Sequence, residues 1–258
     1  MAEPGMFSAA DAYARHVGRY GAALSAAHVA AAGLRTGQRA LDVGCGPGAL
    51  TAELARVVGA ERTCALDPSE PFVEACRARV PGADVRVGTA EEPPDFGGPF
   101  DAVLSQLVLN FLADAPGAVA AMRRALRPGG TLTACVWDYA EGMEMLRAFW
   151  DGALELDPSA PDEGRTMRWC SPDELHGLWS AGGLRDVTTG RLEVDAAYDG
   201  FADFWEPFER GVGPSGAHCV SLPAGDRARL REACFRRLGE PAGPFALTAR
   251  AWFVRGSA

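Results

Sequence analysis

The stretch Ala40-Leu41-Asp42-Val43-Gly44-Cys45-Gly46-Pro47-Gly48 restricts this chain more than any other. Its first residues read as a short buried strand, and the following Ala49 to Ala55 reads as the start of an amphipathic helix. Gly44, Gly46 and Gly48 alternate between them. Glycine accepts positive φ and lets a ligand come close to the backbone where a Cβ would collide. A strand-to-helix turn of this kind aims amide N–H groups and the positive helix end at whatever docks there. Asp42 adds a carboxylate at the strand's end, which favours a cationic or hydroxyl-rich ligand over a phosphate. The dinucleotide fingerprint G-x-G-x-x-G has a different glycine spacing and lacks that acid, so a nicotinamide-dependent oxidoreductase is disfavoured.

A second acid falls in register with the turn. Thr63 to Asp67 reads as the next strand, and Asp67 lies 19 residues after Gly48 (67 − 48). An acidic residue about 20 residues beyond such a turn, at the end of strand two, suits the hydroxyls of a ribose. Standing alone before Pro68, an aspartate would be read as a turn former. Further on, the helix Asp114 to Leu126 runs into Arg127-Pro128-Gly129-Gly130, a stop and turn before a fifth strand, Thr131 to Val136.

The D-x-G-x-G-x-G turn, the acid at Asp67 and the helix–RPGG–strand punctuation resemble the class I S-adenosylmethionine (SAM) dependent methyltransferases. The resemblance is nearest to the small-molecule enzymes of that family. It covers about Ala40 to Trp137 in motif order and is weaker towards the C-terminus. It implies an α/β fold with a Rossmann-like, seven-stranded, mostly parallel sheet flanked by helices, with helical insertions forming a lid. It also implies SAM as cofactor and S-adenosylhomocysteine (SAH) as product. By the matches, Asp42, Gly44, Cys45, Gly46 and Gly48 hold the methionine end, and Asp67 with Pro68 the ribose. Ala90 and Glu91 lie by the adenine, and Ser105, Gln106 and Leu107 near the reacting methyl. The expected reaction is in-line transfer of that methyl to an O, N or C atom of a small, apolar or aromatic metabolite. The alternative is a SAM-binding regulatory or partner-binding protein without catalysis.

Composition narrows the acceptor. With a net charge of -9 the chain has no electrostatic footprint for nucleic acid or an anionic membrane, which points to a small-molecule acceptor. All 25 basic residues are arginine, which excludes a lysine Schiff base or a P-loop. The seven cysteines are scattered with no C-x-x-C pair, which suits a reducing cytoplasm and neither a disulfide framework nor a metal site. No charged-then-apolar leader opens the sequence and no apolar run approaches 18 residues, so a cytoplasmic monomer or homodimer is expected.

The remaining sequence supplies the surroundings. Residues 1–36 form an N-terminal helical cap, 37–140 the cofactor core, and 141–258 the rest of the sheet with its insertions, all within one domain. Ser8 to Ala32 is Ala-rich and is read as two short helices broken near Gly18 and Gly21. Tyr13, His16 and Tyr20 share a helical face there. Tyr13 and Tyr20 are acceptor-pocket candidates, as are Asn110, Trp137 and Tyr139 near strand ends, and His16 is the candidate general base. Asp157 to Arg165 reads as a loop. Ser171-Pro172-Asp173-Glu174 reads as a helix start with a capping box. Val187 to Val194 is expected as strand six and Phe245 to Val254 as the last. Phe201 to Gly211 and Arg227 to Leu238 read as helices, with His218 and Cys219 in a loop between them.

Overall fold

The computed structural model describes residues 17–258. In chain order, a 3₁₀ turn (Val17–Tyr20) leads into α1 (Gly21–Ala32), then β1 (Ala40–Val43), α2 (Ala49–Val58), β2 (Thr63–Asp67), α3 (Glu70–Arg79), β3 (Asp84–Val87) and β4 (Phe100–Gln106). These are followed by α4 (Ala115–Arg124), β5 (Leu126–Trp137), α5 (Glu144–Leu156), the short α6 (Glu163–Thr166), α7 (Pro172–Ala181) and β6 (Arg185–Tyr198). The chain closes with α8 (Phe201–Glu209), α9 (Gly213–Ser221), α10 (Ala224–Arg237) and β7 (Phe245–Ser257).

The seven strands lie in the order β3-β2-β1-β4-β5-β7-β6. β3, β2, β1, β4 and β5 are parallel neighbours, and β7 runs antiparallel to β5, so the expected mostly parallel Rossmann-like sheet is present. The order reverses between β1 and β4, and the carboxyl ends of strands at such a switch are where open α/β sheets take their ligands.

The first compact unit comprises Ala22–Trp137, Arg168–Leu192 and Ala251–Ala258. Every residue of β1 and β2 is buried, as expected of central parallel strands covered on both faces. Its main core joins Leu41, Val43, Leu66 and Val103 of the sheet to Val119, Met122, Leu175 and Trp179 of α4 and α7. On the other face Val29 and Ala32 of α1 pack with Leu50 and Leu54 of α2. Ser171 caps α7 as expected, its hydroxyl accepting from the Glu174 amide at 3.3 Å, but the Glu174 carboxylate reaches past the N-cap amide to accept from the Cys170 amide at 3.1 Å.

The second unit comprises the described residues of Met1–Gly21 together with Asp138–Met167 and Glu193–Arg250. Its interior is aromatic: Phe149 stacks on Phe208 at 4.5 Å between ring centres and meets Trp150 edge-on at 5.1 Å. Arg147 is clamped by Asp162 at 2.8 Å and Asp151 at 2.6 Å.

Several boundaries differ from the sequence reading. β5 begins at Leu126, because Arg127 to Gly130 continue the strand by pairing with the chain beyond β7: Gly129 donates to Ala258 O, and Ala258 donates to Gly130 O. β6 and β7 extend beyond their predicted ends. Residues 157–165 are not wholly loop, since the Asp162 carboxylate caps α6 through the Gly164 amide. His218 and Cys219 lie within α9 rather than in a loop, and Cys219 is fully buried.

Candidate functional site

The turn after β1 is built by backbone donation to β2. The Gly44 and Cys45 amides both bond Leu66 O, at 2.8 and 2.9 Å. Gly44, Gly46 and Gly48 all take positive φ, at 77°, 51° and 87°. Their neighbours separate them. A Cβ on Gly44 would stand 2.4 Å from Val108 Cγ2, and one on Gly48 2.8 Å from Cys76 Sγ. A Cβ on Gly46 would meet nothing within 4 Å. Two glycines therefore permit close packing, while the middle one borders open space. Gly48 is the N-cap of α2 and carries no side chain to cap it, so the helix's first amides are not occupied by a capping group.

Two carboxylates flank the turn. Asp42 is 1% exposed, and its Oδ2 accepts from Thr51 Oγ1 of α2 at 2.7 Å. Its Oδ1 is buried and has no partner among the described residues. Burial pushes the Asp42 carboxyl up to about 7, opposed by the Thr51 bond. Asp67, at the end of β2, accepts from Gly46 N through Oδ2 and from Ser69 N through Oδ1, both at 2.9 Å. Each carboxylate oxygen has a second lone pair, so these bonds leave capacity for two hydroxyl donors. Pro68 beside it is exposed.

The other predicted residues of this unit sit at neighbouring strand ends. Gly88 N donates to Asp67 O at 3.1 Å and draws the segment after β3 towards β2. Ala90 is buried, while Glu91 is half-buried in a groove with Pro93, Pro94, Phe96 and Arg124. Ser105 is buried, and its hydroxyl donates to Val43 O at 3.1 Å, across the seam of β1 and β4. Leu107, just past β4, has φ 61°, a sparsely populated conformation for a bulky residue, and its amide is fixed on Cys135 O at 2.8 Å. Asn110 lies on a 3₁₀ turn (Leu109–Phe111) and is half-buried, and Trp137 ends β5, 2% exposed.

In the other unit, Tyr20 is fully buried and shares a 3.1 Å hydrogen bond with the Tyr198 hydroxyl; burial raises its pKa to about 12. Tyr139 is 7% exposed. Tyr13 and His16 lie outside the described residues.

Sequence reasoning missed a buried polar cluster under β4 and β5. Gln106 Nε2 donates to Ser25 Oγ of α1 at 2.9 Å. His28 of α1 meets Thr133 Oγ1 at 3.1 Å and Cys135 Sγ at 3.5 Å, with Phe253 edge-on at 5.7 Å. Burial lowers its pKa to about 4, so the imidazole is neutral. Its signal was present: Ser25 and His28 are the two polar side chains of an otherwise apolar α1, three residues apart and so on one face.

The Rossmann-like sheet, the glycine turn after β1 and the acids on β1 and β2 agree with the resemblance to the SAM-dependent methyltransferases. The family described as "Methyltransferase domain" matches residues 41–134. The ubiquinone biosynthesis O-methyltransferase of Rhizobium leguminosarum bv. trifolii is 40% identical over 100 residues, 37% of this chain and 39% of that protein. The matched stretches span only 30% to 39% of the length of the leading curated relatives. Two solved structures share the fold. The YcgJ protein of Bacillus subtilis has a TM-score of 0.55 at 18% identity, covering 92% of this chain and 97% of that one. Haemonchus contortus phosphoethanolamine N-methyltransferase 2, in complex with SAH, has a TM-score of 0.51 at 17% identity, covering 86% of this chain and 49% of that one. Residues 41–134 thus match the methyltransferase-domain family, and SAM is the cofactor that this match supports.

Proposed function

We propose that this protein is a methyltransferase that moves the methyl of SAM to an O, N or C atom of a small, apolar or aromatic metabolite. Two separate observations support this reading: Asp42 Oδ1 at the end of β1 is buried with no partner among the described residues, and a Cβ on Gly46 in the turn would meet nothing within 4 Å. An unpartnered buried acceptor costs about 1–3 kcal/mol, more when charged, and a cationic ligand in the turn recovers that cost. SAM is cationic at both its ammonium and its sulfonium, so the donor set fits the group.

In this reading Asp42 and the turn of Gly44, Cys45, Gly46 and Gly48 hold the methionine end. Asp67, backed by Pro68, accepts from the ribose hydroxyls through lone pairs that Gly46 and Ser69 leave free. Ala90 and Glu91 flank the adenine. Ser105, Gln106 and Leu107 form the wall by the methyl, with Gln106 oriented by Ser25 and Leu107 by the strained backbone that Cys135 O fixes. Bound SAM supplies an already activated methyl electrophile. The chain's own work is then to align the acceptor in line with it and to exclude water, and orientation of this kind is worth about 7–11 kcal/mol in well-aligned reactions.

A small acceptor is supported by the net charge of -9 and by the relative named for ubiquinone biosynthesis. The aromatic residues of the second unit support the apolar character less than their number suggests, because Trp150 and Trp205 are 0% and 2% exposed and spent on packing. Transfer of a labelled methyl from SAM to a panel of quinol, phenol and amine acceptors tests the reading. Turnover on at least one is expected. Tight SAH binding with no turnover on any member would favour the regulatory alternative.

A further inference from the structure

Gln106 ends β4 beside the glycine turn, and residues on either side of it touch that turn. Ser105 Oγ donates to Val43 O at 3.1 Å, and Val108 is the side chain that a Cβ on Gly44 would strike. The Gln106 side chain itself reaches towards α1, where its Nε2 donates to Ser25 Oγ at 2.9 Å. From the neighbouring β5, Cys135 Sγ donates to Gln106 Oε1 at 4.0 Å. Both ends of the amide are thereby held, and its nitrogen and oxygen have distinct places.

The bonds behind it run in one direction. With its proton on Gln106, Cys135 Sγ accepts from His28 Nδ1 at 3.5 Å, and His28 Nε2 accepts from Thr133 Oγ1 at 3.1 Å. His28, Thr133 and Cys135 are fully buried, so water does not compete for these bonds. One donor is left over. An amide nitrogen carries two hydrogens, Ser25 takes one, and the second has no partner among the described residues. Gln106 is half-buried at the carboxyl end of its strand, where open α/β sheets take their ligands.

Lone pairs decide what such a donor can hold. A nucleophile attacking a methyl carbon spends one lone pair on the new bond. A neutral amine has only that one, so an N–H donated to it blocks the attack. A phenolic or enolic oxygen has two, and three when ionised, so it can accept from Gln106 while another pair attacks. The same N–H favours an ionised oxygen and disfavours an ammonium.

We propose that Gln106 binds the methyl acceptor by donating its second N–H to the acceptor's oxygen, that Ser25 and the Cys135–His28–Thr133 line position it, and that the acceptor is therefore a phenol or enol rather than an amine. This deepens the cofactor reading above and rests on it. In the transfer the acceptor oxygen forms a bond to the methyl carbon, the S–CH₃ bond breaks with its electron pair passing to sulfur, and the hydroxyl proton leaves to bulk water.

The test is calorimetric titration of a naphthol and of the matching naphthylamine, one ring carrying hydroxyl or amine, into the SAH-saturated full chain, followed by labelled methyl transfer from SAM to each. Wild type should bind the naphthol at least about tenfold more tightly and methylate it at oxygen. In Gln106→Met, which has no donor, that advantage should fall to about threefold or less, and in Gln106→Glu, which accepts but does not donate, the amine should bind better. Ser25→Ala should lose part of the advantage. The ratio is taken within each variant, so a general loss of folded protein cancels, and SAH titration shows that the cofactor site has formed. Methylation of the amine with the naphthol untouched overturns the oxygen assignment and leaves the methyltransferase reading standing. Failure of SAH-saturated wild type to bind either ring, or a naphthol advantage undiminished in both Gln106 variants, overturns it as well. An unchanged ratio in Ser25→Ala overturns the positioning role. If wild type binds no SAH, the cofactor reading fails and this inference falls with it.

Discussion

Replacing Asp42 by asparagine separates the cost of this residue to the fold from its use to a ligand. Burial pushes the Asp42 carboxyl up from its usual 3.8 to about 7, a rise of about 3. The folded state therefore holds its proton more tightly than the unfolded chain does. The associated stability is fully present below about pH 3.8 and is lost as pH rises towards 7. At 1.36 kcal/mol per unit the whole window is worth about 4 kcal/mol. Between pH 5.5, chosen to stay above the pI of 5.0, and pH 8 about 2 kcal/mol of it should be lost. Asparagine cannot ionise, and its carbonyl can still accept from Thr51. Its amide group adds a buried donor that costs about 1–3 kcal/mol at any pH. Urea unfolding of apo wild type and Asp42→Asn at the two pH values isolates the ionisation, because the amide cost cancels in the difference. The variant should gain about 2 kcal/mol on wild type between pH 5.5 and pH 8. Its SAH affinity should fall about 10–100-fold, the value of a hydrogen bond to a charged group. A stability difference that does not change with pH would refute the reasoning, because Asp42 would then not be an uncompensated buried charge.

Other perturbations distinguish packing from binding. Gly48→Ala forces a Cβ to 2.8 Å from Cys76 Sγ at φ 87°, whereas Gly46→Ala meets no neighbour. Denaturation should show Gly48→Ala destabilised by about 2–4 kcal/mol and Gly46→Ala by about 1–2, with Gly46→Ala nevertheless losing most SAH binding. His28, lowered to about 4 from 6.5, contributes stability that is present above pH 6.5 and lost as pH falls towards 4. His28→Leu should flatten that acid limb by about 3 kcal/mol over the full window in urea midpoints. Ser171→Ala removes an N-cap and should cost about 1 kcal/mol of stability while leaving the SAH affinity unchanged.

The parallel core was legible because its strands are short apolar runs punctuated by glycine or proline, and because the spacing from Gly48 to Asp67 places the second acid at the end of β2. The α7 cap was legible for a similar reason, since Ser171 and Glu174 act within four residues of each other. What remained hidden depends on distant partners. Arg127 to Gly130 carry every local mark of a turn, yet the far end of the chain at Ala258 pairs with them and makes them strand. Leu107's positive φ is set by Cys135, and the partners of Ser25 and His28 lie on β4 and β5, so none of these is visible from nearby residues. The sequence reading leaves His218 in the loop between two predicted helices, with Gly213 and Pro214 ahead of it. In the fold those residues open α9 instead, with Pro214 in its first turn, where a proline's missing N–H costs nothing.

The central claim, a SAM site organised by the glycine turn and Asp67, is tested most directly by calorimetric titration of SAH into wild type and Asp67→Ala, with NAD as the control ligand. The account predicts micromolar SAH binding to wild type, weakening of about tenfold or more in Asp67→Ala, and no binding of NAD. Absence of SAH binding to wild type, or equal affinity in the variant, would contradict it.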